Sequence, residues 1–161
     1  MAQLEGVRQK VWEILTNEKG FDPKEIKIDP EFNIKLGNYE VTVSIDFVVN
    51  LFSASFVVIK CVPTAIESWE RYVLSFARAR AVKDYQIPYA VVTDGDNARI
   101  FDVLSGSLVG ESIKGLLNRQ EAINRMNNFK QMPCPEKRLE KEKRIIYAFE
   151  GIKCPTMKEE K

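Results

Sequence analysis

The amino-acid sequence predicts an α/β fold in which helices flank a mixed β-sheet. Three observations support this prediction: an amphipathic helical pattern opens the chain, three strand-like runs with short turns follow it, and a second helical pattern leads into a continuously apolar strand. Short turns make consecutive strands antiparallel, whereas a helical crossover brings a later strand back in parallel. The sheet should therefore contain both kinds of pairing.

The first helix is predicted to run from near the start of the chain to Gly20, which ends the pattern. Its apolar residues recur at helical spacing and are Leu4, Val7, Val11, Ile14 and Leu15. This is the pattern of an amphipathic helix of about four turns. Residues 21–30 follow as a polar connection that contains two prolines.

Three strands are predicted next, over residues 31–36, 39–50 and 55–62. The first two are joined by Gly37-Asn38, a pair of residues that tolerates the positive φ angles of a tight turn. Strands joined by short turns in this way form an antiparallel meander.

Two charged residues interrupt the apolar part of this meander. Asp46 lies in the second predicted strand and Lys60 in the third. Strand alternation would put Asp46 on the face opposite Ile45 and Phe47. A charge inside a strand is costly unless it is paired or binds a ligand, and the hairpin could bring these two together. The pair is therefore a candidate functional site, with a structural ion pair as the alternative.

A second helix is predicted from Thr64, a good N-cap residue directly after Pro63, to about Asp84. A continuously apolar strand follows at residues 88–93, and residues 98–103 should form its hairpin partner. Continuous apolarity favours burial on both faces, as in parallel pairing or at the centre of a sheet.

The C-terminal part of the chain predicts helices at residues 119–129 and 136–149, after a glycine- and serine-containing turn at 104–110. The charged run at 140–144 is expected to face solvent with local ion pairs. At 161 residues the chain fits a single domain. Its core is expected at residues 4–103 and a helical extension at 111–150, with a frayed tail at 155–161.

Composition removes several classes of function. The chain has 24 Lys and Arg and 23 Asp and Glu, for a net charge of +1, so a nucleic-acid surface would have to be a local patch. Histidine, the commonest general base and zinc ligand, is absent. Cys134 and Cys154 could form a disulfide, but a reduced pair is favoured. Neither a signal peptide nor a membrane span is indicated, so we expect a cytoplasmic protein without membrane contact.

Several short motifs accompany the αβββαβ order of the predicted elements. They are Val7-Arg8-Gln9 in the first helix, Asp46-Phe47-Val48-Val49, Ile59-Lys60 at the end of a strand, and residues 87–95. Together they resemble the PD-(D/E)xK, restriction-endonuclease-like fold. In particular, the chain resembles the N-terminal domain of the restriction (R) subunit of type I restriction enzymes and small stand-alone relatives of it. The resemblance covers residues 5–103, and the C-terminal helices lie beyond it.

This resemblance implies a metal-dependent site at the two charged strand residues. In that family, an Asp on the second strand, and an acidic residue and a Lys on the third, hold one or two Mg²⁺ ions. The Lys orients or activates the attacking water, and Asp46 and Lys60 match these positions. Ile59 could offer a carbonyl to the metal, and Glu5 matches a place where some members carry another metal-binding Glu. Mg²⁺ or Mn²⁺ would bind carboxylate oxygens and stabilise the charge that develops during phosphodiester cleavage.

The acidic position on the third strand is occupied by Val58, which cannot ligate a metal. Some members of the fold move the missing acid onto the second helix, and Glu67 and Glu70 lie at the start of that helix. Both are therefore candidate catalytic acids. For these two residues, and for Glu5, an ordinary acid in the first turn of a helix is the alternative.

Arginines of the second helix are candidates for contact with nucleic acid. They are Arg71, Arg78 and Arg80, which could face phosphates, with locally paired surface arginines as the alternative. Trp69 is expected to pack in the core rather than to stack on bases.

Two functions follow as hypotheses. The first is a Mg²⁺-dependent DNA nuclease, and the second is a catalytically inactive nuclease-fold module that binds DNA or a restriction-system partner protein. The sequence contains no Gly-x-x-x-x-Gly-Lys-Ser/Thr loop, so a partner would supply the motor and the specificity. A structural domain on an unrelated α/β fold is a third alternative.

Overall fold

The computed structural model describes residues 2–79 and 85–151. Its strands are β1 (Ile26–Ile28), β2 (Glu31–Leu36), β3 (Tyr39–Ser44), β4 (Phe47–Leu51), β5 (Ala54–Cys61), β6 (Tyr89–Thr93), β7 (Asn97–Asp102) and β8 (Ser107–Ser112). Its α-helices are α1 (Ala2–Glu13), α2 (Glu70–Ala79), α3 (Arg119–Asn127) and α4 (Glu136–Phe149). Short helical turns precede or follow these elements at Ile14–Glu18, Pro23–Glu25, Ile66–Trp69 and Ile113–Gly115.

The central sheet has six strands in the order β1-β4-β5-β6-β7-β8. All neighbouring pairs are antiparallel except β5 and β6, which are parallel and are connected through α2. The mixed sheet and the parallel pairing of the continuously apolar strand are therefore confirmed. Strands β2 and β3 form a separate antiparallel ribbon.

Helices cover both faces of this sheet. On one face, α1, the helical turn that follows it and α3 contribute Val11, Leu15 and Ala122 to a buried cluster with alternate residues of the strands. On the other face, α2, α4 and the β2–β3 ribbon bury a second cluster that includes Phe76 and Tyr147. We call these the α1 face and the α2 face of the sheet.

The predicted strand at residues 39–50 is two strands, β3 and β4, because the chain bends at Ile45 and Asp46. Ile45 packs on the α2 face whereas Phe47 packs on the α1 face, so the alternation expected around Asp46 is wrong. The bend leaves β3 paired with β2, while β4 enters the central sheet between β1 and β5. Asp46 consequently lies at a corner of the chain rather than inside a strand.

Two other boundaries differ from the prediction. The polar connection contains β1, which pairs with β4 at the edge of the sheet. Thr64 does not cap a helix: Ala65 adopts a left-handed conformation (φ 57°), a short 3₁₀ turn follows, and α2 begins at Glu70. The predicted end of this helix near Asp84 lies outside the described residues.

The C-terminal helices are confirmed as α3 and α4, and β8 begins within the predicted turn and extends beyond it. The charged run in α4 differs from the prediction at one position, because Glu142 is completely buried. Cys61 is buried and Cys134 is partly exposed, both as free thiols, while Cys154 lies outside the described residues. None of the described helices is long and apolar enough to cross a membrane.

Candidate functional site

Arg8 of α1 is surrounded by three carboxylates, those of Glu5, Asp29 and Asp46, which we call the Arg8 cluster. Arg8 Nη1 donates to Asp46 Oδ1 and also to Asp29 Oδ1 at 3.0 Å, and Nη2 donates to Asp29 Oδ2 at 2.9 Å. Glu5 Oε1 lies 3.5 Å from Arg8 Nε. Burial alone would lower the pKa of Arg8, but the bonds to Asp29 and Asp46 raise it. The guanidinium therefore stays charged in this cluster.

The bend before β4 explains why Asp46 reaches this position. The β4–β5 ladder ends at the pair Phe47–Ile59, so the next main-chain donor, Cys61 N–H, has no strand partner in β4. Asp46 Oδ2 accepts this N–H at 2.7 Å, and the Asp46 carbonyl accepts the N–H of Asp29 at 3.0 Å. Asp46 thus joins α1, the end of β1 and the end of β5.

The Lys60 side chain lies on the α2 face, where its ammonium group contacts aromatic rings. Its Nζ is 4.8 Å from the ring centroid of Trp69 and 5.7 Å from that of Tyr72. The Tyr72 hydroxyl donates to Glu150 Oε2 at 2.7 Å. Within the described residues, no ion pair joins Lys60 to Asp46. The lysine is held by aromatic rings, through cation–π attraction, rather than by a carboxylate.

The two residues before Lys60 belong to the core. Val58 is fully buried on the α2 face and pairs in the sheet with Val48 and Ala90. Ile59 points to the α1 face and lies between strands on both sides. The position at which the resemblance implies a strand acid is therefore occupied by a buried apolar side chain.

Glu67 and Glu70 both contact Arg99 of β7, and with Glu111 they form what we call the Arg99 cluster. The distances to guanidinium nitrogens are 3.5 Å for Glu67, 3.4 Å for Glu70 and 3.2 Å for Glu111. Arg99 lies in the same lateral row of the sheet as Lys60, separated from it by one strand. The two glutamates are thus at the same end of the sheet as Lys60, where both pair with Arg99.

These side chains, as they lie, do not fit a magnesium site. Asp46 has one oxygen on Arg8 and the other on Cys61 N–H, and the helix glutamates are paired with Arg99. Over residues 2–79 and 85–151, no group of three or more Cys, Asp or Glu side chains is arranged to hold a metal ion. Guanidinium groups occupy the positions beside the carboxylates at which a cation would be expected. The catalytic and metal-binding roles expected for these residues stay predictions.

Residues 3–116 match the family described as type I restriction enzyme R protein N terminus. The chain belongs to this family. The match includes α1, the ribbon, the whole six-stranded sheet and α2, so it contains both clusters and Lys60. A search of the curated proteins found no match. The family and the topology together give the chain a restriction-endonuclease-like fold, as a nuclease-like module of a restriction system.

Helix α4 lies beyond the family match and carries a third cluster. The buried Glu142 accepts hydrogen bonds from Arg71 Nη2 at 2.9 Å, Ser75 Oγ at 2.8 Å, Arg78 Nη1 at 3.1 Å and Arg138 Nε at 3.3 Å. We call these five residues the Glu142 cluster. Two of the predicted nucleic-acid contacts, on α2, are therefore brought together by one glutamate.

The arginines that were predicted to contact nucleic acid differ in exposure. Arg78 is buried, and its Nε and Nη2 also donate to the Val103 carbonyl at 3.3 and 3.1 Å. Burial lowers the pKa of Arg78, against the attraction of Glu142. The Arg71 side chain keeps 42% of its surface exposed. The third predicted contact, Arg80, lies outside the described residues.

Three residues that organise these clusters were not predicted as functional from the sequence. Arg8 has a local signal, because Glu5 lies one helical turn before it. Glu142 also has one: it falls on the apolar stripe formed by Leu139, Ile146 and Phe149, where a charge needs a buried partner. Arg99 has no such signal, since its partners come from distant segments.

Proposed function

We propose that this chain is a nuclease-fold module that does not itself hydrolyse DNA and that contributes binding to a restriction system. One observation carries the proposal: every carboxylate that could complete the site is held by an arginine of the same chain. Asp46 is held by Arg8, and Glu67 and Glu70 are held by Arg99.

The chemistry of phosphodiester cleavage explains why this pairing matters. A metal-dependent site needs at least two oxygen ligands facing one point, with room for a water and a phosphate. A cation at Asp46 would have to displace the Arg8 guanidinium, which is also bonded to Asp29. Val58 offers no oxygen and lies in the core. The ligand set would therefore be incomplete even after Arg8 had moved.

Lys60 supports the same conclusion. A lysine that activates water has to approach the reacting phosphate with its ammonium group. Here the Lys60 ammonium lies against Trp69 and Tyr72, on the α2 face. Its contacts stabilise the packing of α2 on the sheet, and they give a structural reason for a lysine at this position.

The alternative function is the Mg²⁺- or Mn²⁺-dependent nuclease, with ligands from Asp46, the Ile59 carbonyl, Glu5 or a helix glutamate. One observation favours it: the Phe47–Ile59 pair puts Asp46 and Lys60 just beyond the same end of the β4–β5 ladder. A cleaving form would need Asp46 to exchange Arg8 for the metal.

A plasmid-nicking assay separates the two functions. Supercoiled plasmid is incubated with wild type, Asp46→Asn and Lys60→Met, each with Mg²⁺ and then with Mn²⁺. Asn at position 46 keeps an acceptor for Cys61 N–H, and circular dichroism checks that each variant is folded. We expect the same background of nicked plasmid in all samples. Metal-dependent nicking by the wild type that both substitutions abolish would refute the proposal.

A further inference from the structure

We propose that the surface of the Glu142 cluster, between α2 and α4, binds the phosphate backbone of duplex DNA through Arg71 and Arg138. The inference rests on the proposed binding role and names its ligand. It also extends the predicted contact surface from α2 to α4, which lies outside the residues that match the family.

Charge balance distinguishes this cluster from the other two. In the Arg8 cluster three carboxylates surround one arginine, and in the Arg99 cluster three carboxylates again surround one arginine. In the Glu142 cluster the ratio is reversed, because three arginines share one carboxylate. Its ion pairs therefore leave two positive charges uncompensated. Of the three clusters, this is the one that would attract an anion.

The excess positive charge of this cluster lies at the surface of the protein. The side chains of Glu142 and Arg78 are 0% and 3% exposed, whereas those of Arg71 and Arg138 are 42% and 48% exposed. The compensated pair is thus inside, and the two arginines with excess charge are at the surface. A ligand can reach the outer pair without opening the core.

Glu142 also holds the two outer arginines in fixed positions. Arg71 binds its Oε1 and Arg138 binds its Oε2, so the two guanidinium groups converge from different helices on one carboxylate. A guanidinium has five N–H donors, and among the described residues the hydrogen bonds of Arg71 and Arg138 go to Glu142 alone. Most donors remain available, in side chains that have already lost part of their rotational freedom. Planar guanidinium donors match phosphate oxygens well.

A neighbouring lysine extends the positive surface. Lys141 is exposed and lies three residues after Arg138, on the same side of α4. The nearby Glu140 is engaged by Arg144 at 3.1 Å. Because the whole chain carries a net charge of only +1, this local excess is the feature that would orient the module on a polyanion.

Fluorescence anisotropy with a short labelled DNA duplex, measured over a series of NaCl concentrations, tests the inference. The proteins are wild type, Arg71→Ala, Arg138→Ala and Lys141→Ala. Arg125→Ala is the charge-matched control, because Arg125 is an exposed arginine on α3, over the other face of the sheet. Each lost phosphate contact should reduce the slope of log K against log salt by about 0.9. We expect weaker binding and this smaller slope for the three test variants, and wild-type behaviour for the control.

Several outcomes would overturn the inference: no duplex binding by the wild type, unchanged slopes in the test variants, or an equal loss in the control. Displacement of the duplex by poly-glutamate at equal total charge would also do so, because it would indicate general anion binding. Lys141 makes none of the Glu142 contacts, so its variant remains informative if an arginine variant unfolds. A wild type that binds DNA and cuts it refutes only the proposed lack of cleavage; one that does neither refutes only this inference.

Discussion

Removing the carboxylate of Glu142 should destabilise the protein more than any change to the exposed arginines that contact it. In Glu142→Ala, the buried Arg78 loses its ion-pair partner and keeps only its bonds to the Val103 carbonyl. Breaking a buried ion pair from one side costs about 3–5 kcal/mol, because a charge is left in the interior. For a chain of this size, that corresponds to a fall in Tm of about 6–20 °C. The loss is a large part of the roughly 5–15 kcal/mol that stabilises a typical domain.

Arg138→Ala provides the contrast. Arg138 contacts the same glutamate but is half-exposed, so its pair should contribute about 0–1 kcal/mol. Urea unfolding followed by circular dichroism gives both free energies of unfolding. The buried network, and the packing of α4 on α2 that depends on it, would be contradicted by either of two results. One is a Glu142→Ala variant whose free energy of unfolding is within about 1 kcal/mol of the wild-type value, and the other is a Glu142→Ala variant that is no less stable than Arg138→Ala.

Three further predictions concern the candidate site and its surroundings. Val58→Glu, which puts an acid where the resemblance implies one, should unfold more easily by about 3–5 kcal/mol in urea and give no nicking, because position 58 is fully buried. Lys60→Met should cost about 0.5–2 kcal/mol in the same assay through loss of its contact with Trp69, and no change would contradict that contact. Arg119 lowers the pKa of Glu25, so this pair stabilises the fold above the unfolded pKa of about 4.3 and loses its effect as the pH falls through the lower folded value. The Tm difference between wild type and Glu25→Gln should therefore shrink on acidification, and a difference independent of pH would count against the pair.

The sequence predicted the fold well because the relevant signals are local. Helical spacing identified α1 and α4, and the continuously apolar run identified β6 as a buried strand with a parallel neighbour. The bend at Ile45 and Asp46 was missed, since an apolar run with one charge in it looks like a single strand. The alternation that was assumed through this run then gave Asp46 the wrong surroundings. The resemblance to the restriction-endonuclease-like fold did not depend on that detail.

The partners of the candidate site residues were harder to predict, because they come from distant segments. Asp46 meets Arg8 across 38 residues, and Arg71 meets Glu142 across 71. No local pattern encodes which surface of a helix will face which strand, so Asp46 and Lys60 were expected together although each has a different partner. Their chemistry could be judged only once the helices and strands were assembled.

The positions of the arginines connect these observations. In a nuclease site, the charge of clustered carboxylates is balanced by bound metal, so the apo protein contains repelling acids that weaken the fold. In this chain, Arg8 and Arg99 offset part of that repulsion permanently, and each also connects separate elements of the fold. The ion pairs of the Arg8 and Arg99 clusters thereby stabilise the fold. Helix α4, beyond the family match, adds a cluster in which arginines outnumber carboxylates. Acids that are paired with arginine in two clusters and excess arginine in a third support the proposed module that holds a DNA backbone without cutting it, and the nicking and salt-dependence measurements test this proposal jointly.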